Sequence, residues 1–340
     1  MLQVGIIGAG RIGRVHIQGI CTGVPNAHIR AIAAPHITEE IRELARRAGA
    51  EILTENYRDL LTDPLIDAVL ICSPTDTHAA ISIEAMRAGK HVFCEKPIDL
   101  SIVKMQTVID VARQTGVKYQ IGLNRRFDHN FQALRRAITS GKIGSVQVIK
   151  ICSRDSEPPS VKFVRSSGGL FLDMTVHDLD MVRFLSGSEV EEVYAAGSVL
   201  VDPAIGEAGD VDTAAIVLKL ANGALALIDN SRQAVYGYDQ RAEVFGSRGC
   251  IAIGNDTPST PVLSTADGIQ QEKPLWFFLE RYLPAFQEEV RQFVDAVEND
   301  LPVPVTGEDA LQATLLAMAC TRSAQEGRPV RMDEFPAYTR

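Results

Sequence analysis

Two clusters of side chains in this chain carry groups able to move a proton and to hold a developing alkoxide. "KHVFCEKP" ends an apolar stretch on Glu95, Lys96 and Pro97, and "GGLFLDMTVHDLDMVRFL" sets Asp173, His177 and Asp180 into a mostly apolar run. Proline after Lys96 restricts the lysine to extended backbone, so its ammonium is aimed by a stiff main chain. Asp173 and His177, four apart, share one face of a helix and can hydrogen-bond, and Asp180 extends that line by another turn. Removing hydride from a secondary alcohol needs a base for the hydroxyl proton and a donor to the oxygen. Lys96 joined to an Asp173/His177 dyad would supply both. Each cluster also has a plainer reading. Glu95 could make a surface salt bridge to an arginine. The 173/177/180 stripe, taken alone, reads first as a satisfied core pair, because such groups are costly to bury without partners. A metal site there needs more ligands than the sequence spaces nearby, so no metal is expected.

The elements that must position these groups fall into two styles. "LQVGII", "HIRAIAA", "DAVLICS", "KHVFC" and "VKYQIG" read as strands, alternating with helices near 11–22, 38–48, 77–88 and 101–115. Strands apolar throughout belong in a parallel sheet covered on both faces, so residues 1–122 are expected to form a doubly wound Rossmann-type domain with ligands beyond the strand C-termini. Residues 123–340 are expected to form an α+β domain with a mostly antiparallel open sheet. It has helices near 127–140 and 170–186, strands near 145–153, 191–200, 211–220, 223–234, 240–246 and 249–254, and closing helices near 280–299 and 307–326. "NDTPSTP" and "DPAIGEAGD" read as loops.

"GIIGAGRIG" places Gly8, Gly10 and Gly13 in GxGxxG spacing between the first strand and first helix. Gly8 permits the tight turn, Gly10 lets backbone approach a pyrophosphate, and Gly13 allows close helix packing. The plain alternative is an ordinary glycine turn. The acid that usually accepts from the adenosine ribose is missing, because the second strand ends on Ala34, Pro35 and His36. Glu39 and Glu40 come late, inside the next helix, leaving His36 or Thr38 to sort the cofactors. Ser73, Pro74 and Thr75 fall at another strand end facing the same crevice and are expected cofactor contacts; a turn capped by Thr77 explains part of that stretch as well, and His78 has no assigned role.

Composition narrows the partners. The 340 residues exceed one usual core, 46% hydrophobic with 23% charged residues is globular, and a net charge of −9 without a Lys/Arg block argues against nucleic acid. Six scattered cysteines with no CxxC pair, no basic leader and no spanning apolar run point to a soluble cytoplasmic protein with small-molecule partners.

The EKP signature at Glu95, Lys96 and Pro97 behind a Rossmann fingerprint resembles the Gfo/Idh/MocA oxidoreductases, nearly end to end. "GLNRRFD", "SGGLFLDMTVHDLDM", "YGYDQRAEVFGSRG" and "RYLPAFQEEVRQFVDAV" look like segments of its inositol-dehydrogenase members. The resemblance implies NAD-dependent oxidation of one hydroxyl of a cyclic polyol, myo-inositol to 2-keto-myo-inositol. Lys96, Asp173 and His177 match the catalytic positions, while Gly8, Gly10, Arg11, Ile12, Gly13, Ser73, Pro74, Thr75, Glu95 and Lys96 match the cofactor side. It further implies substrate contacts from Lys96, Arg125, Asp155, Asp173, His177 and Tyr236, and homotetramers paired through C-terminal sheets. By their own chemistry Arg125 and Arg126 could instead anchor a domain junction, and Tyr236 and Tyr238 could be cross-strand packing pairs. The missing ribose acid keeps NADP open, with reduction of a keto sugar by NADPH, or oxidation of another inositol isomer or cyclic sugar, as the alternative. A catalytically silent dinucleotide-sensing regulator is a second.

Overall fold

The computed structural model describes residues 1–337; the last three, counted above with the second domain, lie outside the described residues. The chain divides into two compact units, Met1–Phe127 with Leu283–Leu311, and Asp128–Tyr282 with the chain from Gln312 onward. The first unit opens with β1 (Leu2–Ile7), α1 (Arg11–Gly23), β2 (Ala27–Ala33), α2 (Glu39–Ala48), β3 (Ile52–Thr54), α3 (Arg58–Thr62) and β4 (Ala68–Ile71). It continues with α4 (Thr75–Arg87), β5 (His91–Glu95), α5 (Ile102–Thr115) and β6 (Tyr119–Gly122). Six parallel strands lie in the order β3-β2-β1-β4-β5-β6. The order reverses between β1 and β4, which puts the loops after those strands at the ligand-binding crevice of such sheets. β3 and α3 escaped the sequence reading because three and five residues are too few to show a period.

The second unit contains α6 (His129–Thr139), β7 (Val146–Arg154), α7 (Val161–Ser167), a wide π-type turn at Phe171–Thr175 and α8 (Val176–Ser186). Then come β8 (Val190–Ser198), α9 (Pro203–Glu207), β9 (Thr213–Leu220), β10 (Leu225–Ser231), β11 (Asp239–Gly246), β12 (Gly249–Ile253) and a hairpin of β13 (Val262–Thr265) and β14 (Gly268–Gln271). Two long helices, α10 (Phe278–Glu298) and α11 (Gly307–Glu326), precede the short β15 (Val330–Arg331). The seven-stranded sheet runs β12-β11-β7-β10-β9-β8-β15 and is antiparallel except for the parallel pair β7–β10. Three local expectations are corrected. "DPAIGEAGD" contains α9, capped by the Asp202 carboxylate accepting from the Ala204 N–H at 2.9 Å, with Pro203 opening the helix. The single helix expected over 170–186 begins as the π-type turn, and α7 stands ahead of it.

The contiguous second block is also interrupted, since residues 283–311 belong with the first unit. The cause is burial: Val290, Phe293 and Val294 of α10 join a core with Val4, Ile6, Ile17 and Phe93. The Gln287 amide donates to the Gly19 carbonyl at 3.2 Å, and the Ile121 N–H to the Val305 carbonyl at 3.2 Å. In the second unit β9 alternates strictly, with Ala214, Ile216, Leu218 and Leu220 buried. The opposite face leaves Tyr194, Val217 and Leu227 exposed and mutually in register across β8, β9 and β10.

Candidate active site

In the first unit the glycine loop is shaped by contacts that exclude side chains. Gly8 has φ +100°, and a Cβ there would lie 2.7 Å from the Cys72 carbonyl and the Ser73 nitrogen. A Cβ on Gly13 would lie 2.0 Å from the Gly8 carbonyl oxygen. At Gly10, by contrast, nothing lies within 4 Å of that position. Gly10 caps α1 without a side-chain bond, and the first turn, with Arg11 and Ile12, has no acidic residue, so the positive end of the helix dipole favours an anion there. These residues fit a dinucleotide pyrophosphate. Ser73 abuts Gly8, and its hydroxyl bonds Thr77 Oγ1 at 2.7 Å. α4 begins at Thr75, so Thr77 is not its cap; its hydroxyl donates instead to the Pro74 carbonyl at 2.6 Å.

At the end of β2, Ala34 is buried while Pro35 and His36 are exposed. Thr38 is occupied, its hydroxyl accepting from the Ile41 N–H at 3.4 Å as the cap of α2. Glu40 pairs with Arg14 at 2.7 Å. No carboxylate follows the strand directly, as read.

Glu95 does not make the surface salt bridge considered above. Its Oε1 lies 2.6 Å from Nε2 of the fully buried His16 on α1, whose ring meets Phe93 and Phe286 edge-on at 5.2 and 5.7 Å. Glu289 of α10 lies 4.0 Å from the same nitrogen, and neither of its oxygens has a hydrogen-bond partner. Burial, and then the Glu95 charge, hold the Glu289 carboxyl well above its ordinary value, so it keeps its proton and the 4.0 Å approach is not an ion pair. Among the described residues these are the three donors that gather within 4.8 Å of one another; Asp173, His177 and Asp180 do not. The 2.6 Å contact is a hydrogen bond, since two ligands of one tetrahedral ion, each bonded at about 2.0–2.2 Å, sit about 3.3–3.5 Å apart. Lys96, next in the chain, is half-buried, and the Lys96–Pro97 bond is cis. Arg125 is buried in the 3₁₀ turn Asn124–Phe127, and neighbouring Arg126 pairs with Asp309 at 2.9 Å within the same unit.

In the second unit a residue outside the expected set organises the site. Arg232, 3% exposed, shares one nitrogen, Nη1, between Asp173 at 3.0 Å and Asp155 at 3.1 Å. Burial opposes its charge, but the two carboxylates outweigh that and hold the guanidinium above its ordinary value. Topology explains the pairing. β7 and β10 run parallel with Arg154 beside Ser231, so the next residues, Asp155 and Arg232, leave the sheet side by side. Asp173 sits in the π-type turn and His177 in the first turn of α8, both half-buried. That helix is fixed to the sheet by a buried network: the Thr175 hydroxyl donates to Asn230 Oδ1 at 2.6 Å, and the Asn230 amide donates to Asp178 at 2.9 Å.

Tyr236 is held in a hydrogen-bond network of its own side chain with Arg154 and Asp239. Its hydroxyl donates to Asp239 at 2.6 Å and accepts from Arg154 at 3.1 Å, and Arg154 is forked onto Asp229 at 2.8 and 3.0 Å. Burial would raise the Asp239 carboxyl, but bonds from Arg241, Tyr236 and Asn255 prevail and hold it well below the usual range. Tyr238 is buried and packs edge-on against Tyr282 at 5.9 Å, a packing role of the kind weighed for these tyrosines, though with α10 as the partner.

Residues 2–123 match the oxidoreductase family with an NAD-binding Rossmann fold, and residues 131–252 match the GFO/IDH/MocA C-terminal domain. The chain is 49% identical to the uncharacterized oxidoreductase YrbE of Bacillus subtilis, over 98% of this chain and 97% of that protein. It is 45% identical to the myo-inositol 2-dehydrogenase of Thermotoga maritima, over 98% of this chain and 99% of that one. The crystal structure of scyllo-inositol dehydrogenase from Lactobacillus casei with bound NAD(H) and scyllo-inositol superposes with a TM-score of 0.89 at 32% identity, covering 98% of this chain and 99% of that one. Among the described residues no helix is long and apolar enough to cross a membrane. With both halves matched and its full length shared with such relatives, the chain belongs to the GFO/IDH/MocA oxidoreductases, whose N-terminal half is an NAD-binding Rossmann unit.

Proposed function

We propose that this chain is an NAD-dependent dehydrogenase oxidising one secondary hydroxyl of myo-inositol to give 2-keto-myo-inositol. The observation that carries the substrate is the full-length 45% identity to a myo-inositol 2-dehydrogenase. The chemistry rests on the residues. Bound NAD supplies the hydride acceptor. His177 accepts the hydroxyl proton, Asp173 orients the imidazole and stabilises it once charged, and Lys96 donates to the reacting oxygen as charge builds there. Arg232 holds Asp173 and Asp155 at a common nitrogen, which supports Asp155 as a second acceptor for ring hydroxyls. The first-turn N–H groups of α1 receive the pyrophosphate, with Ser73, Pro74 and Thr75 beside it, and Arg125 is kept as a substrate contact. Glu95, held by His16, acts by fixing the turn that carries Lys96. Tyr236, whose hydroxyl is engaged by Arg154 and Asp239, is kept with Arg125 as a substrate contact.

The homotetramer paired through C-terminal sheets is supported by the exposed apolar row of Tyr194, Val217 and Leu227, since monomers rarely leave such a face to water.

The test is NADH formation by purified protein with NAD and myo-inositol at alkaline pH. Lys96→Ala and Asp173→Asn should each lower kcat about a hundredfold or more, as removal of a general acid–base partner does. No turnover across inositol isomers, glucose and xylose, with NADH binding retained, would replace this reading with a dinucleotide sensor. A preference for NADP above about tenfold, about 1.4 kcal/mol, would turn it toward the NADP-dependent reductase that the missing ribose acid keeps open.

A further inference from the structure

We propose that His78 carries protons on both ring nitrogens and is a positioning residue, fastening the loop after β4 to the turn that bears Lys96. His78 lies on α4 and is 2% exposed. Its Nδ1 is 2.7 Å from the Pro97 carbonyl and its Nε2 is 2.8 Å from the Ser73 carbonyl. A carbonyl oxygen only accepts. A neutral imidazole has one N–H and one lone pair, so it would satisfy one of these contacts and set lone pair against lone pair at the other. The imidazolium donates to both.

The two carbonyls belong to different segments of the dinucleotide-binding unit. Ser73 packs on the glycine loop at Gly8, and Pro97 follows Lys96 directly. One buried ring therefore sets the spacing between the segment expected to touch the cofactor and the backbone that aims the ammonium. The titratable group facing the ring is the buried Cys94 thiol of β5, beyond which lies the buried Tyr119 of β6. Burial works against the charge on His78, but the Cys94 sulfur, through the charge it carries once ionised, and the two accepting carbonyls outweigh it and push the imidazole up to about 10. With the folded value raised, the clamp is at full strength below the ordinary histidine range and is lost only as pH climbs through about 10. It therefore stays closed through neutral and mildly alkaline pH.

The role at Lys96 rests on the dehydrogenase reading; the protonation state does not. The full chain, labelled with ring-15N histidine and saturated with NADH, should show one of its seven histidines doubly protonated at pH 8, assigned by its loss in His78→Gln. A neutral tautomer at His78 overturns the proposal, and if the variant does not fold, backbone-linked assignment of the wild type decides the same point. His78→Gln, which keeps one donating amide, should lower kcat at least tenfold and weaken NADH binding, with unchanged far-UV dichroism. Values of both within twofold of wild type would also overturn it. If wild type turns over no polyol, the function reading fails while the NMR and NADH-binding arms still judge the clamp.

Discussion

Replacing Arg232 by methionine, which keeps volume and removes the charge, should weaken the second unit and slow the reaction without disturbing NADH binding. Each hydrogen bond to a charged group is worth about 1.5–3 kcal/mol, and breaking a buried pair from one side costs about 3–5 kcal/mol. The arginine side chain is 3% exposed, but those of Asp173 and Asp155 are 19% and 27% exposed, so water takes over part of their solvation. The expected loss is about 2–3 kcal/mol, below the fully buried figure. A two-unit chain need not unfold in one step, so the readout must be local. Trp276, the sole tryptophan, lies in the second unit and reports its unfolding in urea by fluorescence. Kinetically, kcat for polyol oxidation should fall at least tenfold while NADH affinity stays within twofold, because the glycine loop and the Lys96 turn belong to the first unit. Arg232→Lys keeps the charge without the planar fork and should fall between. A loss under about 1 kcal/mol with kcat within twofold of wild type would refute the claim that this guanidinium sets Asp173.

Two further outcomes follow from the same geometry. Glu289 is held protonated in the fold but ionises near its ordinary value when unfolded, so wild-type stability should fall as pH rises above about 4.5, by up to about 1.4 kcal/mol per unit. Glu289→Gln removes that slope, and denaturation midpoints at pH 5 and pH 8 should show the variant gaining on wild type; a wild-type advantage that grows with pH would contradict the protonated carboxyl. Leu227→Glu places a charge in the exposed row between Val217 and Lys150, and light scattering should then find a species smaller than the wild type with unchanged unfolding, whereas a species of unchanged size would remove that face from the proposed interface.

The parts of the molecule legible in the sequence are those whose signal is local. Gly8, Gly10 and Gly13 lie within six residues, and fully apolar strands such as "AVLI" announce a sheet covered on both faces. Lys96, Asp173 and His177 stand out because charged groups are rare in apolar runs. Their supports were not legible, because each comes from elsewhere in the chain. The bond from His16 to Glu95 spans 79 residues, and Glu289 reaches the pair only because α10 returns to the first core. Arg232 in "NSRQA" has no periodic context at all; its meaning depends on β7 and β10 running parallel, the one such pair in a sheet expected to be mostly antiparallel. An antiparallel neighbour would have placed Asp155 at the opposite end from residue 232 and left the carboxylate without its cation.

The same distinction bears on Asp173 and His177, four apart in the sequence. On a regular helix residues four apart face each other, and the bond between them is the natural inference. Here the π-type turn at 171–175 inserts extra backbone just where the aspartate sits, and such turns gather at functional sites. Asp173 takes a guanidinium as a charge partner, so the segment after β10 helps to fix it. An aspartate anchored from outside its own helix can orient an imidazole without moving with it. In the proposed mechanism that anchoring serves the base, because a positioned partner holds the imidazole in one orientation.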